Sequence, residues 1–417
     1  MSTQSRHAAR IAVACGGTGG HLFPGLAVAQ KLVQRGCEVT LLVSPKEVDQ
    51  QAAKNAGDVR VVTLPAVCLR RGGQIAFLRG SAQSYRAARR LFKSRTPNAV
   101  LAMGGFTSAP PILAGKALGA RTFLHESNTI PGRANRWLSW VVDHAFVGFA
   151  SAAGRLRRCR VSVSGTPVRS NFRPRDAASC RMALGLDPGR PVVLVMGGSQ
   201  GASGLNEMVA SSLPLFAKLA PDCQWFHLAG PKDATQLQRT YADLNLSAIV
   251  HPFFDRIELA LGAASAAISR AGASSLAELA AVRLPALLVP YPSATDNHQW
   301  HNASEYATTG AARLIEQGQA TPETLAGPLL ELVRSDAVRA TMQAALARWE
   351  RHDVADQIAG SILGAISVTE SCEPGRVAPG PMPSASLEGP GIPVRPARPL
   401  VAKPIVSTSR PEEPVIV

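Results

Sequence analysis

Apolar runs on consecutive positions, separated by longer stretches of mixed character, set the rhythm of the chain up to about Ile366. The first four are IAVAC (11–15), VTLLVS (39–44), AVLAMGG (99–105) and RTFLHE (121–126). PVVLVMGG (191–198), CQWFHLAG (223–230), SAAISRAG (265–272) and PALLVPYP (285–292) follow. Strands that read as continuous apolar runs are buried on both faces. The helix-like segments between them predict parallel sheets covered by helices, an α/β class. Each half opens with a strand running into a glycine turn, GGTGGH at 16–21 and GGSQGA at 197–202. Two Rossmann-like domains facing across a cleft are the simplest arrangement, with a boundary near SGTPVRSNFRP (164–174). Beyond Ser367 the rhythm stops. Residues 372–417 hold 11 prolines and few paired apolar positions, which predicts a disordered tail.

Composition narrows the class. With 417 residues, 46% of them hydrophobic, the chain is long enough for two or three domains with substantial cores. Seven scattered cysteines, without a CxxC pair, suggest reduced thiols rather than a disulfide frame or a zinc site. The amino terminus lacks a signal-peptide core, and no run approaches the ~20 apolar residues that span a bilayer. A formal charge of +15 calls for an anionic partner. Between Val67 and Arg95 there are eight basic residues, Arg86, Arg89 and Arg90 among them, and no acidic one. Their mixture with Leu69, Ile75, Phe77, Leu78, Leu91 and Phe92 suits either a surface for anionic lipid headgroups or a solvated helix face.

The glycine turns carry the candidate chemistry. A glycine-rich turn opening a helix brings backbone N–H groups and the positive end of the helix dipole to one point, as phosphate binding requires. Neither a P-loop nor GxGxxG spacing is present, and VTLLVS ends without the acidic residue that holds an NAD ribose. Further turns are MGGFTS (103–108) and SRAGASSLAELA (269–280). In the latter, Arg270 suits a phosphate, Gly272 and Ala273 leave room, Ser274 and Ser275 suit a helix cap, and Glu278 reads as a ribose acceptor or as a solvated helix glutamate. SATDNHQWHNA (293–303) gathers Asp296, Asn297, His298, Gln299 and Asn302, either an array for sugar hydroxyls or a polar loop. HESNTIPGRANRWLS (125–139) follows a buried strand, where polar groups serve ligands; Asn128 either does so or shapes the turn before Pro131.

In this order GGTGGHLFPGLAVA, MGGFTS, HESNTIPGRANRWLS, GTPVR, GGSQGASGLN, SRAGASSLAELA and NHQWHNA closely resemble a bacterial glycosyltransferase family, glycosyltransferase family 28. Its members add N-acetylglucosamine to undecaprenyl-diphospho-muramoyl-pentapeptide (lipid I), giving lipid II for peptidoglycan. The resemblance runs from about Ile11 to about Ile366 and implies a GT-B fold. It implies an acceptor and membrane-facing domain over 8–165, a UDP-N-acetylglucosamine domain over 166–340, and a helix over 341–366 returning to the first domain, before the tail at 367–417. By motif, Thr18, Gly19, Gly20, Asn128, Arg169 and Ser199 approach the donor. Phe254 makes a largely backbone contact on the uracil side, Ala273, Ser274, Ser275, Leu276, Ala277 and Glu278 cradle diphosphate and ribose, and Gln299 reaches the sugar. The family often has tyrosine where this chain has Phe106, and a longer loop leaves the register at Gln299 open against His298.

Inverting transfer needs a base for the acceptor hydroxyl, and His21 is the candidate, the other reading being that it orients a phosphate or acceptor group. No DxD sequence occurs, so helix ends, backbone amides and Arg270 are expected to meet the charge of departing UDP, with no metal or cofactor. The expected partners are the donor, lipid I, an anionic membrane surface at the cytoplasmic face, and other cell-wall enzymes. Competing readings are another GT-B glycolipid transferase, a UDP-sugar epimerase or a nucleic-acid-binding protein. The last needs aromatics interleaved with basic residues, whereas aromatics are 5%.

Overall fold

The computed structural model describes residues 8–16, 19–46, 57, 59–65, 74–198, 202–351 and 353–370. Its first sheet contains β1 (Arg10–Ala14), β2 (Glu38–Val43), β3 (Arg60–Thr63), β4 (Ala99–Ala102), β5 (Arg121–Glu126), β6 (His144–Val147) and β7 (Arg160–Val163). The second contains β8 (Val192–Met196), β9 (Gln224–Leu228), β10 (Ala248–His251), β11 (Ala266–Ser269), β12 (Ala286–Leu288) and β13 (Arg313–Leu314). All pairings are parallel, in the orders β3-β2-β1-β4-β5-β6-β7 and β10-β9-β8-β11-β12-β13.

Both sheets are therefore doubly wound. In each, strand order reverses beside the first strand, between β1 and β4 and between β8 and β11. At such a reversal the following helices go to opposite faces of the sheet and open a crevice at the carboxyl ends of the strands. The four glycine-containing turns of the sequence follow these four strands. The crevices were thus written into the turns; only the strand order shows that the turns fall in pairs.

Helices Gly19–Gln34 and Val354–Glu370 cover one face of the first sheet, where Leu22, Leu26, Val28, Leu32, Ile358 and Ile362 join Val13, Leu41 and Leu101 in one core. Helices Gln74–Ser94 and Ala109–Lys116 cover the other face through Ala88, Phe92 and Ile112. The single helix expected over 341–366 is instead two, Asp336–Trp349 and Val354–Glu370. The first packs on the second lobe through Met342, Ala345 and Leu346, and only the next one lies on the first lobe. An extended Glu350 (φ −63°, ψ 121°) ends the first helix, and a left-handed Asp353 (φ 57°) keeps the connection from continuing it. Arg35 clamps the second helix by a two-pronged bond to Asp356 (3.1 and 2.6 Å).

Five strands have no counterpart in the apolar runs: β3, β6, β7, β10 and β13. Four of them, β3, β7, β10 and β13, are sheet-edge strands with no fully buried position, so one flank lacks the apolar signal of a central strand. β6 is buried but only four residues long and opens on His144. Val67 and Leu69 of the basic stretch, and the Pro-rich tail from residue 371 on, lie outside the described residues.

Candidate active site

The first crevice is braced by its own turns. Thr107 Oγ1 donates to the Gly16 carbonyl (2.8 Å), tying the turn after β4 to the turn after β1, and Ser108 Oγ donates to the Gly104 carbonyl (2.6 Å) within the former. His21, in the first turn of helix Gly19–Gln34, packs its ring on the second turn. A methyl group on Gly104 would lie 2.8 Å from His21 Cε1, and one on Gly105 3.4 Å from Cδ2. With φ of 106° and 79°, these positions need glycine twice over, for conformation and for room. Thr18, like Ser199 of the other lobe, lies outside the described residues.

Pro24 lies inside that same helix. Having no N–H, it leaves the Gly20 carbonyl, four residues back, without a helical donor. Ser274 of the other lobe donates its hydroxyl there (3.0 Å). This corrects the helix-cap expectation for Ser274 and Ser275: helix Ala273–Val282 begins at Gly272 without a side-chain cap, and Ser274 joins the lobes instead. The contact also brings the amino ends of two helices together, so their positive dipole ends share one region of the cleft.

The segment after β5 is organised by Glu126, 2% exposed. Its Oε1 accepts the Asn128 N–H (2.8 Å) and Nδ2 (3.2 Å), and its Oε2 accepts the Gly132 N–H (2.9 Å) and Asn135 Nδ2 (2.9 Å). His125 beside it is fully buried, held by the Gly165 carbonyl (2.9 Å) and Ser127 Oγ (3.2 Å). Burial pushes its ring down to about 4, so it stays neutral near pH 7. Asn128 spends its carboxamide on Glu126 and on Asn302 Nδ2 (3.0 Å).

Asn302 corrects another expectation. It is fully buried, accepts the Thr129 N–H and Oγ1 (both 3.0 Å) and donates to the Ala271 carbonyl (3.2 Å). It latches the lobes together rather than lining an open sugar site. Asp296 likewise reaches across to Arg136 (2.7 Å) and Arg133 (4.0 Å). His298 Nδ1 turns back on the Thr295 carbonyl (2.8 Å), while Gln299 Oε1 accepts the Tyr291 N–H (2.9 Å).

In the second lobe Arg270 differs most from its expected role. It is 5% exposed, and its guanidinium donates to the carbonyls of Val289 and Pro290 (3.0 Å each) and to Gln317 Oε1 (2.6 Å). Through these bonds it pins the ends of neighbouring strands at the crevice wall, while its buried Nε has no partner among the described residues; burial also lowers its pKa. Leu276 too is withdrawn, with its side chain in the core and its N–H bonded to Gly272. Ala273 is buried, and Ser275 and Ala277 are half-buried along the same helix. Phe254, half-buried, stacks its ring on His251 (centroids 5.3 Å apart) and sets it edge-on to Phe226 (5.1 Å).

Glu278 and Arg169 define the electrostatics of the cleft. Glu278 is half-buried by surface area, yet protein so surrounds its carboxyl that desolvation pushes it up to about 7, against the opposing pull of Arg169. Arg169 lies between the rings of Phe23 and Phe172, 4.9 and 4.8 Å from their centroids, and its buried Nε has no hydrogen-bond partner among the described residues. Thr129 and Arg136 carry no local signal of their roles, because their partners Asn302 and Asp296 are distant in sequence, whereas the partners of Asn135, His125 and Glu126, lie in its own stretch.

Paired doubly wound lobes with facing strand-reversal crevices are the architecture of two-domain glycosyltransferases. The chain belongs to glycosyltransferase family 28, whose N-terminal domain pattern matches residues 11–147 and whose C-terminal domain pattern matches 192–358. It is 36% identical, over 85% of its length and 87% of the relative's, to the UDP-N-acetylglucosamine-N-acetylmuramyl-(pentapeptide) pyrophosphoryl-undecaprenol N-acetylglucosamine transferase of Sorangium cellulosum. Among solved structures, Acinetobacter baumannii MurG aligns with a TM-score of 0.66 at 28% identity, over 86% of this chain and 100% of that one. A UDP-N-acetylglucosamine 2-epimerase reaches 0.63 at 12% identity, over 87% and 98%, a likeness of fold alone.

Proposed function

We propose that this protein transfers N-acetylglucosamine from UDP-N-acetylglucosamine to the C4 hydroxyl of the muramoyl sugar of undecaprenyl-diphospho-muramoyl-pentapeptide, with inversion, giving lipid II and UDP. The observation that carries it is the meeting of the two crevices at Gly20 and Ser274, with His21 and Glu278 on opposite lobes. His21 takes the proton of the attacking hydroxyl. Glu278 accepts the ribose hydroxyls, and half-buried Arg169 meets the donor with its guanidinium. The facing helix amino ends and backbone amides near Gly19, Gly20 and Ala273 stabilise the charge that develops on UDP, with no metal needed. Thr18, Asn128, Ser199, Phe254 and Gln299 keep their donor-side roles in this reading, Asn128 and Gln299 by exchanging present bonds for ligand ones.

The acceptor is delivered at a membrane surface. Among the described residues no helix is long and apolar enough to cross a membrane. Helix Gln74–Ser94 presents exposed Arg86, Arg89 and Arg90 with Ile75 and Leu78, which are 68% and 65% exposed. We place that face on anionic lipid at the cytoplasmic side, each basic residue contributing roughly 1 kcal/mol. Vesicle binding that ignores replacement of the three arginines would remove this placement.

The direct test is UDP release from the donor, with and without a short-chain lipid I analogue. Acceptor-dependent release with a β1,4-linked disaccharide, retained in EDTA, is expected; release without acceptor points to hydrolysis or epimerase-like chemistry and overturns the reading.

A further inference from the structure

We propose that Asn135 positions the base: its Oδ1 accepts the Nδ1–H of His21, fixing the tautomer whose bare Nε2 faces the acceptor hydroxyl. The inference rests on the reading of His21 given above.

Asn135 lies in helix Arg133–Leu138 and is 3% exposed. Its Nδ2 donates to Glu126 Oε2 (2.9 Å) and to the His125 carbonyl (3.2 Å). Both partners are acceptors, so the orientation of the carboxamide is fixed and Oδ1 must find a donor elsewhere. That oxygen is buried and has no partner among the described residues. Leaving such an acceptor unsatisfied is costly, so a donor is expected in some working state. Substrate cannot serve, because solvent does not reach the atom.

The neighbouring ring can. A methyl group on Gly104 would lie 3.0 Å from His21 Nδ1 and 3.4 Å from Asn135 Nδ2, so the Nδ1 edge of the imidazole and the carboxamide share the space over one glycine. A small ring rotation completes a series from the Glu126 carboxylate through the Asn135 amide to His21. The acceptor C4 oxygen then attacks the anomeric carbon, the bond from that carbon to the diphosphate oxygen breaks, and the hydroxyl proton passes to Nε2. The imidazolium keeps its Nδ1–H on Asn135 and later releases the Nε2 proton to water. A carboxamide, being neutral, fixes the tautomer without raising the basicity of the ring as a carboxylate would.

The tautomer is read by nitrogen NMR of the full chain labelled in histidine, with UDP bound and the His21 signals assigned from the H21Q variant. The Nδ1–H form is expected in the unaltered protein; an Nε2–H form overturns the proposal. Asn135→Leu should mix the tautomers and lower kcat about 10²-fold with KM for both substrates nearly unchanged. It should also move the acidic limb of the kcat profile to lower pH, because the imidazolium loses an acceptor. Asn135→Asp, which retains the oxygen, should restore the Nδ1–H form and move that limb upward. If H21Q abolishes transfer while Asn135→Leu leaves tautomer and pH limb unchanged, the role of Asn135 falls alone. If H21Q transfers normally, the reading of His21 as base falls as well.

Discussion

The segment 125–135 and the segment 291–299 face each other across the cleft, yet they are held by opposite means. In the first, a buried carboxylate gathers four N–H donors from the loop it organises, and a neutral histidine lies beneath it. In the second, consecutive Asp296 and Asn297 adopt left-handed conformations (φ 52° and 51°), and an exposed ion pair provides the main tie to the other lobe. Strain in non-glycine backbone costs on the order of 1–3 kcal/mol per residue and persists only where the surrounding structure holds it. The contrast teaches a division of labour: the side nearest the proposed base is preorganised, and the side nearest the proposed sugar contact is left adaptable.

The largest expected effect comes from Glu126→Ala, which takes the acceptor from the N–H groups of Asn128 and Gly132 and from the buried carboxamide of Asn135. Urea unfolding should show a loss of about 3 kcal/mol, by the scale of hydrogen bonds to charged groups. An unchanged midpoint would mean that the first segment is not held as its bonds imply. Next, Asn302→Ala removes the latch between the segments and leaves Thr129 donors unpaired. A loss of about 2 kcal/mol is expected, with faster amide exchange at Thr129; protection equal to the unaltered protein would show that the lobes close without it.

A subtler effect concerns Glu278. An ionised carboxylate accepts both ribose hydroxyls, whereas a protonated one loses an acceptor. With the group pushed up to about 7, uridine affinity should rise from pH 6 to pH 8, and E278Q should flatten the profile in calorimetry. Uridine carries no phosphate, so a profile still sloping in E278Q would assign the titration elsewhere. The smallest effect is expected for Asp296→Ala, because partly exposed ion pairs contribute only about 0.2–1 kcal/mol. Its thermal midpoint should hardly move, while the KM for the donor changes; a large stability loss would erase the distinction between the two segments.

Central strands were legible because burial on both faces writes unbroken apolar runs, as in VVLVM of β8 and AVLA of β4. Edge strands were not, because one flank faces solvent or a loop and half of the signal is missing. The glycine turns were likewise visible: φ above zero and close approach, as at Gly104 and Gly105, leave residue-type signatures. Arg270 misled, since a basic residue beside a glycine turn suits a phosphate equally well before its neighbours are known. Three backbone and side-chain acceptors from two other segments claim it.

By itself, then, the sequence determined the α/β class, the repetition of a strand and glycine turn in two halves, and the family to which the chain belongs. Those follow from local chemistry: periodicity, turn geometry and short motifs. Only the tertiary structure decided that Ser274 answers the carbonyl released by Pro24, that Asn302 joins Thr129, and that Asn135 and His21 meet over Gly104. Each joins residues far apart in the chain, and hydrogen bonding depends on a few tenths of an ångström, which no residue type carries alone.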